Sequence, residues 1–181
     1  VIPDIMTVAK GIISSYLPFG AAVVTDEIAD LFAGKENALR HVFTASGHPV
    51  CSAAALKNIE IIETDGLVEN SAEVGAYFKE QLHGLMADHP VIGEVRGLGL
   101  LLALELVSDR KTKERFDSEI GITAMLNESF KKHGLLYRAG SGTLGFGPPL
   151  CVTKDEVNEI VHAIDLSLWE IEGKLGIVGT V

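Results

Sequence analysis

Apolar residues recur along this chain with two different periods. Ile5 to Ala9 and Phe19 to Val24 are short runs that read as strands. Thr25 or Asp26 can cap a short helix running to about Phe32, and Gly34 to Asn37 form a polar loop. Phe43-Thr44-Ala45-Ser46-Gly47-His48-Pro49 is rich in turn formers and feeds an alanine-rich helix from about Val50 to Glu63. Pro49 suits its first turn, where a missing N–H is no loss. Leu67 to Met86 sets Val74, Phe78, Leu82 and Leu85 on one helical face. Gly93 to Val107 contains a strand in which Leu102, Leu104 and Leu106 alternate with Ala103 and Glu105. Ser108 to Asp117 is a charged surface loop, and a helix is predicted from about Glu119 to His133, stopped by Gly134. Leu135 to Arg138 and Leu144 to Leu150 are short strand candidates around a glycine-rich turn. The last helix opens on a capping box, Thr153 with Glu156, and lines up Val157, Ile160, Val161, Ile164 and Leu168.

From about residue 90 the order strand, helix, strands, helix predicts a compact α+β domain. The first fifty residues do not close in this way. They offer two strands and no complete layer around them, and a sheet so placed cannot bury both faces. Composition sharpens the picture. The 181 residues are 47% hydrophobic and 22% charged, which excludes a disordered chain. The densest apolar stretch, Leu98 to Leu104, falls far short of the ~20 residues a bilayer requires. With 15 Lys and Arg against 25 Asp and Glu the formal charge is −10, which argues against nucleic acid or an anionic membrane as partner. Cys51 and Cys151 make neither a disulfide framework nor a zinc motif, so a cytoplasmic setting is expected.

Several residues could carry chemistry. Lys10 ends an apolar strand and precedes a glycine. Burial there would disfavour its charged form, as a Schiff-base lysine requires, although the local sequence alone favours a strand-terminal lysine that reaches out to solvent. The hydroxyls and free N–H groups from Thr44 to Ser46, just before a helix, suit a bound phosphate or serve only as a cap. Gly140-Ser141-Gly142-Thr143-Leu144-Gly145 matches G-x-G-x-x-G, but Pro148 and Pro149 forbid the helix a dinucleotide site needs. A hairpin-like turn is expected instead. Arg138 beside that turn can grip a carboxylate bidentately or form a surface ion pair. Arg96 is expected to order the start of its strand. The six histidines show no metal-ligand spacing and are expected at the surface or in caps, so no metal is expected. Ser14 and Ser15 lack the nucleophile-elbow context of a hydrolase.

Taken in order, these pieces resemble one family. Pro3-Asp4-Ile5-Met6-Thr7-Val8-Ala9-Lys10-Gly11-Ile12 and Tyr16-Leu17-Pro18-Phe19-Gly20-Ala21 resemble the cofactor-lysine region of class III pyridoxal-phosphate aminotransferases. Phe43 to Pro49, Glu94-Val95-Arg96-Gly97-Leu98-Gly99-Leu100, and Pro148-Pro149-Leu150 followed by Thr153 continue the pattern in the right order. The resemblance runs from Pro3 to about Glu172. It looks closest to the ω-amino acid:pyruvate or amine:pyruvate branch, from Gly47-His48-Pro49 and the loop ending in Phe116-Asp117.

That resemblance implies an α/β fold, the pyridoxal-phosphate-dependent transferase fold type I. Residues 1–49 would be the C-terminal edge of its large cofactor-binding domain. Residues 50–181 would be the small α+β domain, entered by a long helix. It implies transamination between an amine or ω-amino acid and a keto acid such as pyruvate, through a Schiff base of pyridoxal 5'-phosphate on Lys10. Lys10 would also move the proton of the 1,3-shift. Thr44, with Phe43 beside it, would bind the cofactor phosphate of the neighbouring subunit in a homodimer whose active site is shared. Arg138 and Tyr16 would contact substrate.

The phosphate turn, the aromatic ring over the pyridine and the Asp on the pyridine nitrogen precede the lysine in this family. The chain therefore reads as a C-terminal portion, expected to hold cofactor poorly and not to turn over alone. A mutase or racemase using the same lysine, and a non-catalytic dimerisation module of the same fold, are the alternatives.

Overall fold

β1 (Ile5–Ala9) pairs with β2 (Gly20–Val24) as an antiparallel ribbon, Ile5 opposite Val24 and Ala9 opposite Gly20. In this computed structural model, which describes residues 2–137, 140 and 142–177, the ribbon belongs to the first of two units, Val1–Gly66 and Leu67–Val181. These compact units are a division by contact and group residues 50–66 with the first fifty. The helix α2 (Pro49–Thr64) lies in the first unit, together with the short α1 (Asp26–Asp30).

The first unit has little interior. β1 and β2 alternate side chains to two faces, and Ile5, Met6, Val23 and Val24 are all exposed. A two-stranded ribbon has no third strand or helix to cover it. α2 starts as the sequence predicts, with His48 as N-cap and Pro49 in the first turn. It ends where the Asp65 N–H bonds back to the Ile61 carbonyl. Ile13 and Ala55 are the buried apolar side chains among the described residues of this unit.

The second unit closes around a core. The strands β3 (Ile92–Leu98), β4 (Leu101–Leu106) and β5 (Thr143–Phe146) form an antiparallel sheet in that order. The helices α3 (Leu67–Leu85), α4 (Ile122–Lys132) and α5 (Lys154–Leu175) complete the unit; α3 and α4 both pack on α5, and α3 also packs on β3. Phe78 and Leu82 from α3 meet Leu102, Leu104 and Leu106 of β4 in this core. Leu126 and Phe130 of α4, Leu144 of β5, and Ile164 and Leu168 of α5 complete it. The alternation read in β4 is the observed one, with Leu102, Leu104 and Leu106 buried and Glu105 half-buried. The capping box of α5 is also present: Glu156 N–H donates to Thr153 Oγ1, and Thr153 N–H donates to Glu156 Oε2 at 2.8 Å.

Three elements differ from the sequence expectation. Residues 93–107 hold a hairpin, β3 and β4, rather than one strand. β3 was obscured because its register shifts between Ile92 and Glu94, which breaks the two-residue period. Gly97 near its end stands at φ 132°, and Gly99 in the turn that follows at φ 55°. α4 begins at Ile122, after a 3-10 turn over Ser118–Ile120 and Gly121 at φ 68°. Residues 135–137 form no strand; the Leu135 N–H instead closes the end of α4 on the Phe130 carbonyl at 2.8 Å.

A polar cluster is enclosed with the core. His89 is fully buried, against the expectation of surface histidines. It stands between Glu172 Oε2 and Asp165 Oδ1, 2.8 Å from each, with its ring edge-on to Trp169. Charged partners on both sides are what allow a histidine to sit there.

Candidate functional site

Lys10 stands where β1 ends and a 3-10 turn, Lys10–Ile13, begins. Its backbone is left-handed at φ 54°, and Ser14 and Ser15 are left-handed too, at φ 48° and φ 61°. Such conformations cost a non-glycine residue about 1–3 kcal/mol each, so surrounding contacts must hold them. Ile13, 2% exposed, anchors the turn by burial. The Ser14 N–H closes it on the Gly11 carbonyl at 3.3 Å, and the Tyr16 N–H bonds to the Ile13 carbonyl at 3.1 Å.

Asn58 of α2 supplies the rest. Its Nδ2 donates to the Gly11 and Ile12 carbonyls, both at 3.1 Å, and its Oδ1 accepts from Ser14 Oγ at 2.7 Å. Reasoning from sequence missed this residue. A single asparagine in a helix more than forty positions from the lysine carries no local signal. Its spacing of three from the buried Ala55 is the one hint that it shares the inward face.

The Lys10 side chain is exposed and makes no hydrogen bond or ion pair among the described residues. Residues of this unit therefore do not supply the burial expected of it. Phe43 is exposed, with the His41 ring edge-on at 4.7 Å between centroids. Thr44 opens a turn that runs to Gly47 (φ 66°), in which the Ser46 N–H bonds to the Phe43 carbonyl at 2.9 Å. The Thr44 hydroxyl has no partner among the described residues. Tyr16 is 83% exposed. No hydrogen bond or ring contact joins Phe43, Thr44 or Tyr16 to Lys10 among the described residues.

Arg138 lies outside the described residues. Its neighbour Tyr137 helps line an apolar pocket of about 320 Å³ with Phe78, Phe146 and Pro148, and burial pushes the Tyr137 phenol pKa up. Arg96 serves structure, as expected of it. It bonds Glu105 across the sheet at 2.7 Å and Glu94 at 3.2 Å, and Glu105 also accepts from Arg115. The Arg96 guanidinium, then Arg115, holds the Glu105 carboxyl below the usual carboxylate range. Thr143 pairs with Gly140, and the glycine motif runs straight into β5 with no helix behind it. The described part of that segment therefore lacks the helix that a dinucleotide fingerprint opens.

A family model described as aminotransferase class-III matches residues 1–168. The chain belongs to the class-III aminotransferases. An aminotransferase of Sinorhizobium fredii is 43% identical over 96% of this chain and 38% of its own length. Putrescine–pyruvate aminotransferase of Pseudomonas aeruginosa is 40% identical over 88% of this chain and 34% of its own length. An amine transaminase from an uncultivated Pseudomonas species, solved in its PLP-bound form, is 38% identical. It superposes with a TM-score of 0.87 over 93% of this chain and 39% of its own length. The chain thus spans well under half of each relative, and it carries that part of the pyridoxal-phosphate transferase fold type I.

The class-III residues present here fit that cofactor at two points. Among the described residues Lys10 offers an amine not committed to any ion pair, and Thr44 a hydroxyl without a hydrogen-bond partner in a glycine-containing turn ahead of a helix.

Proposed function

We propose that the protein moves an amino group between an amine or ω-amino acid and a keto acid such as pyruvate, using pyridoxal 5'-phosphate attached at Lys10. The observation that carries this reading is the uncommitted Lys10 amine at the end of β1, in a chain of the class-III family. When bound, the cofactor supplies an electron sink that makes a proton beside the transferred nitrogen removable. Lys10 Nζ would take up and return that proton. Its long, otherwise unbonded side chain gives the reach such a transfer needs. Thr44 would hold the phosphate of the cofactor in a neighbouring copy, with Phe43 packed beside it, in a homodimer with shared sites. Arg138 and Tyr16 would contact substrate, Arg138 pairing with a carboxylate where the substrate has one.

Residues 1–49 are assigned to the edge of the large cofactor domain and 50–181 to the small domain. The sequence and structure of the relatives support a place for both within one longer polypeptide. A cytoplasmic location fits Cys51 and Cys151, which form no disulfide among the described residues, where no helix is long and apolar enough to cross a membrane.

Borohydride reduction of the cofactor-loaded protein, followed by peptide mapping, tests the assignment. The pyridoxyl mass is expected on Lys10 and on no other lysine. Label elsewhere, or none, overturns it. Turnover with an amino donor and no keto acceptor would point to a mutase or racemase instead.

A further inference from the structure

The turn after Lys10 is held from α2 by one side chain. An amide has two N–H donors on one end and an acceptor on the other. Asn58 commits both donors to consecutive carbonyls, Gly11 and Ile12, and its oxygen to Ser14. Only the amino end can face two carbonyl oxygens, so the hydrogen-bond pattern fixes the orientation of the amide. The two carbonyls belong to the Gly11–Ile12 and Ile12–Ile13 peptides, one and two peptides beyond the one that leaves the lysine. Their planes are what the left-handed backbone of Lys10 must feed into. Among the described residues these are the side-chain hydrogen bonds that tie the turn to α2, beside the burial of Ile13.

We propose that Asn58 is a positioning residue for Lys10: by clamping Gly11, Ile12 and Ser14 it fixes the backbone from which the reactive amine projects. The proposal rests on the reading of Lys10 as the cofactor-bearing amine. A lysine side chain is flexible, so aim depends on where its root is held, and a displacement of about 1 Å can cost roughly a hundredfold in rate. Asn58 touches neither substrate nor cofactor in this account and acts only through the turn.

The test compares the full-length protein with Asn58→Ala, Asn58→Asp, Asn58→Gln and, as a control, Lys57→Ala. Asn58→Ala removes all three bonds. Asn58→Asp keeps the acceptor for Ser14 but sets oxygen against the two carbonyls. Asn58→Gln keeps the amide on a longer stem. Lys57→Ala removes only an exposed ion pair to Glu60 on the same helix. Two readouts are taken: amide hydrogen exchange across residues 11–16 without cofactor, and kcat and KM for the amine with pyridoxal phosphate bound.

In the Ala and Asp variants exchange is expected to quicken at least about tenfold. Their kcat is expected to fall at least about tenfold while KM for the amine stays within about twofold. Asn58→Gln is expected to recover part of the lost kcat, and Lys57→Ala to match the parent. A kcat within about twofold of the parent in the folded Ala or Asp variant overturns the proposal, whatever the exchange shows. Should Asn58→Ala fail to fold, the Asp and Gln variants decide on the same criterion. Borohydride label on a lysine other than Lys10 in the parent overturns the Lys10 reading and this proposal together. Label on Lys10 with unchanged kcat in the variants overturns Asn58 alone.

Discussion

In the unit that begins at Leu67, β4 sends Leu102, Leu104 and Leu106 to one covered face, each at most 2% exposed. In the unit before it, β1 and β2 are just as apolar, yet Ile5, Met6, Val23 and Val24 stay exposed. The strands do not differ much in kind. What differs is the cover: β4 lies between two strands in a sheet packed by α3, whereas among the described residues of its own unit the β1–β2 ribbon has no third strand and leaves all but Val8 exposed. The hydrophobic effect rewards removal of area from water, and a strand alone cannot accomplish that. The same contrast separates the aromatics. Phe130 is fully buried, while Phe43 is 66% exposed. The catalytic candidates therefore sit in the unit with the weaker interior, and stability sits in the other.

The largest expected effect lies in the open unit and spares the closed one. Lys10→Ala in the full-length protein should lower transamination by roughly 10²–10⁴-fold or more, with the thermal midpoint unchanged. A variant that kept its activity would remove chemistry from the first unit altogether.

The next effect runs the other way. Phe130→Ala should cost about 3–5 kcal/mol in denaturant unfolding. Phe43→Ala should stay within about 0.5 kcal/mol in the 181-residue chain. Similar losses for the two would break the contrast between the units.

Gly75→Ala sharpens it within the closed unit. A Cβ on Gly75 would lie 2.2 Å from the carbonyl carbon of Gly99, which is backbone and cannot swing aside. The expected cost is about 1–3 kcal/mol, read as a lower urea midpoint with unchanged slope. A neutral result would mean that α3 and the β3–β4 turn are less tightly joined than described.

The smallest effect is electrostatic. Lys132, Ser129 and His133 all bond Glu170 across α4 and α5, and hold its carboxyl down at about 2, against 4.5 for a free one. A lowered folded-state pKa adds stability at pH above the free value, and that stability drains away as pH falls from 4.5 towards 2. Glu170→Gln should flatten the unfolding free energy across that window and change little near pH 7 beyond a constant offset. An unaltered pH slope would show that other carboxylates carry the acid dependence.

Much of the closed unit was legible from local rules. The helix face of Val74, Phe78 and Leu82, the β4 alternation and the Thr153–Glu156 box each depend on residues within one or two turns of one another. β3 was not legible, because a register shift near its start removes the period that would have marked it. His89 was not either. Its burial depends on Asp165 and Glu172, which lie more than seventy positions away on α5.

The site divides in the same way. Lys10, Phe43, Thr44, Tyr16 and Arg138 could be named from the order of motifs, whereas Asn58 could not, since its partners Gly11, Ile12 and Ser14 meet it only once α2 packs on the turn.

By itself the sequence determined the family and the elements whose signals are periodic or adjacent in the chain, and it singled out Lys10 as a candidate. Only the tertiary structure decided which apolar strands are covered, that Gly75 must lack a side chain, and which asparagine holds the lysine turn. Periodicity and capping are set by neighbours within a few residues. Burial, close approach and hydrogen-bond partnership depend on what distant segments bring to the same place.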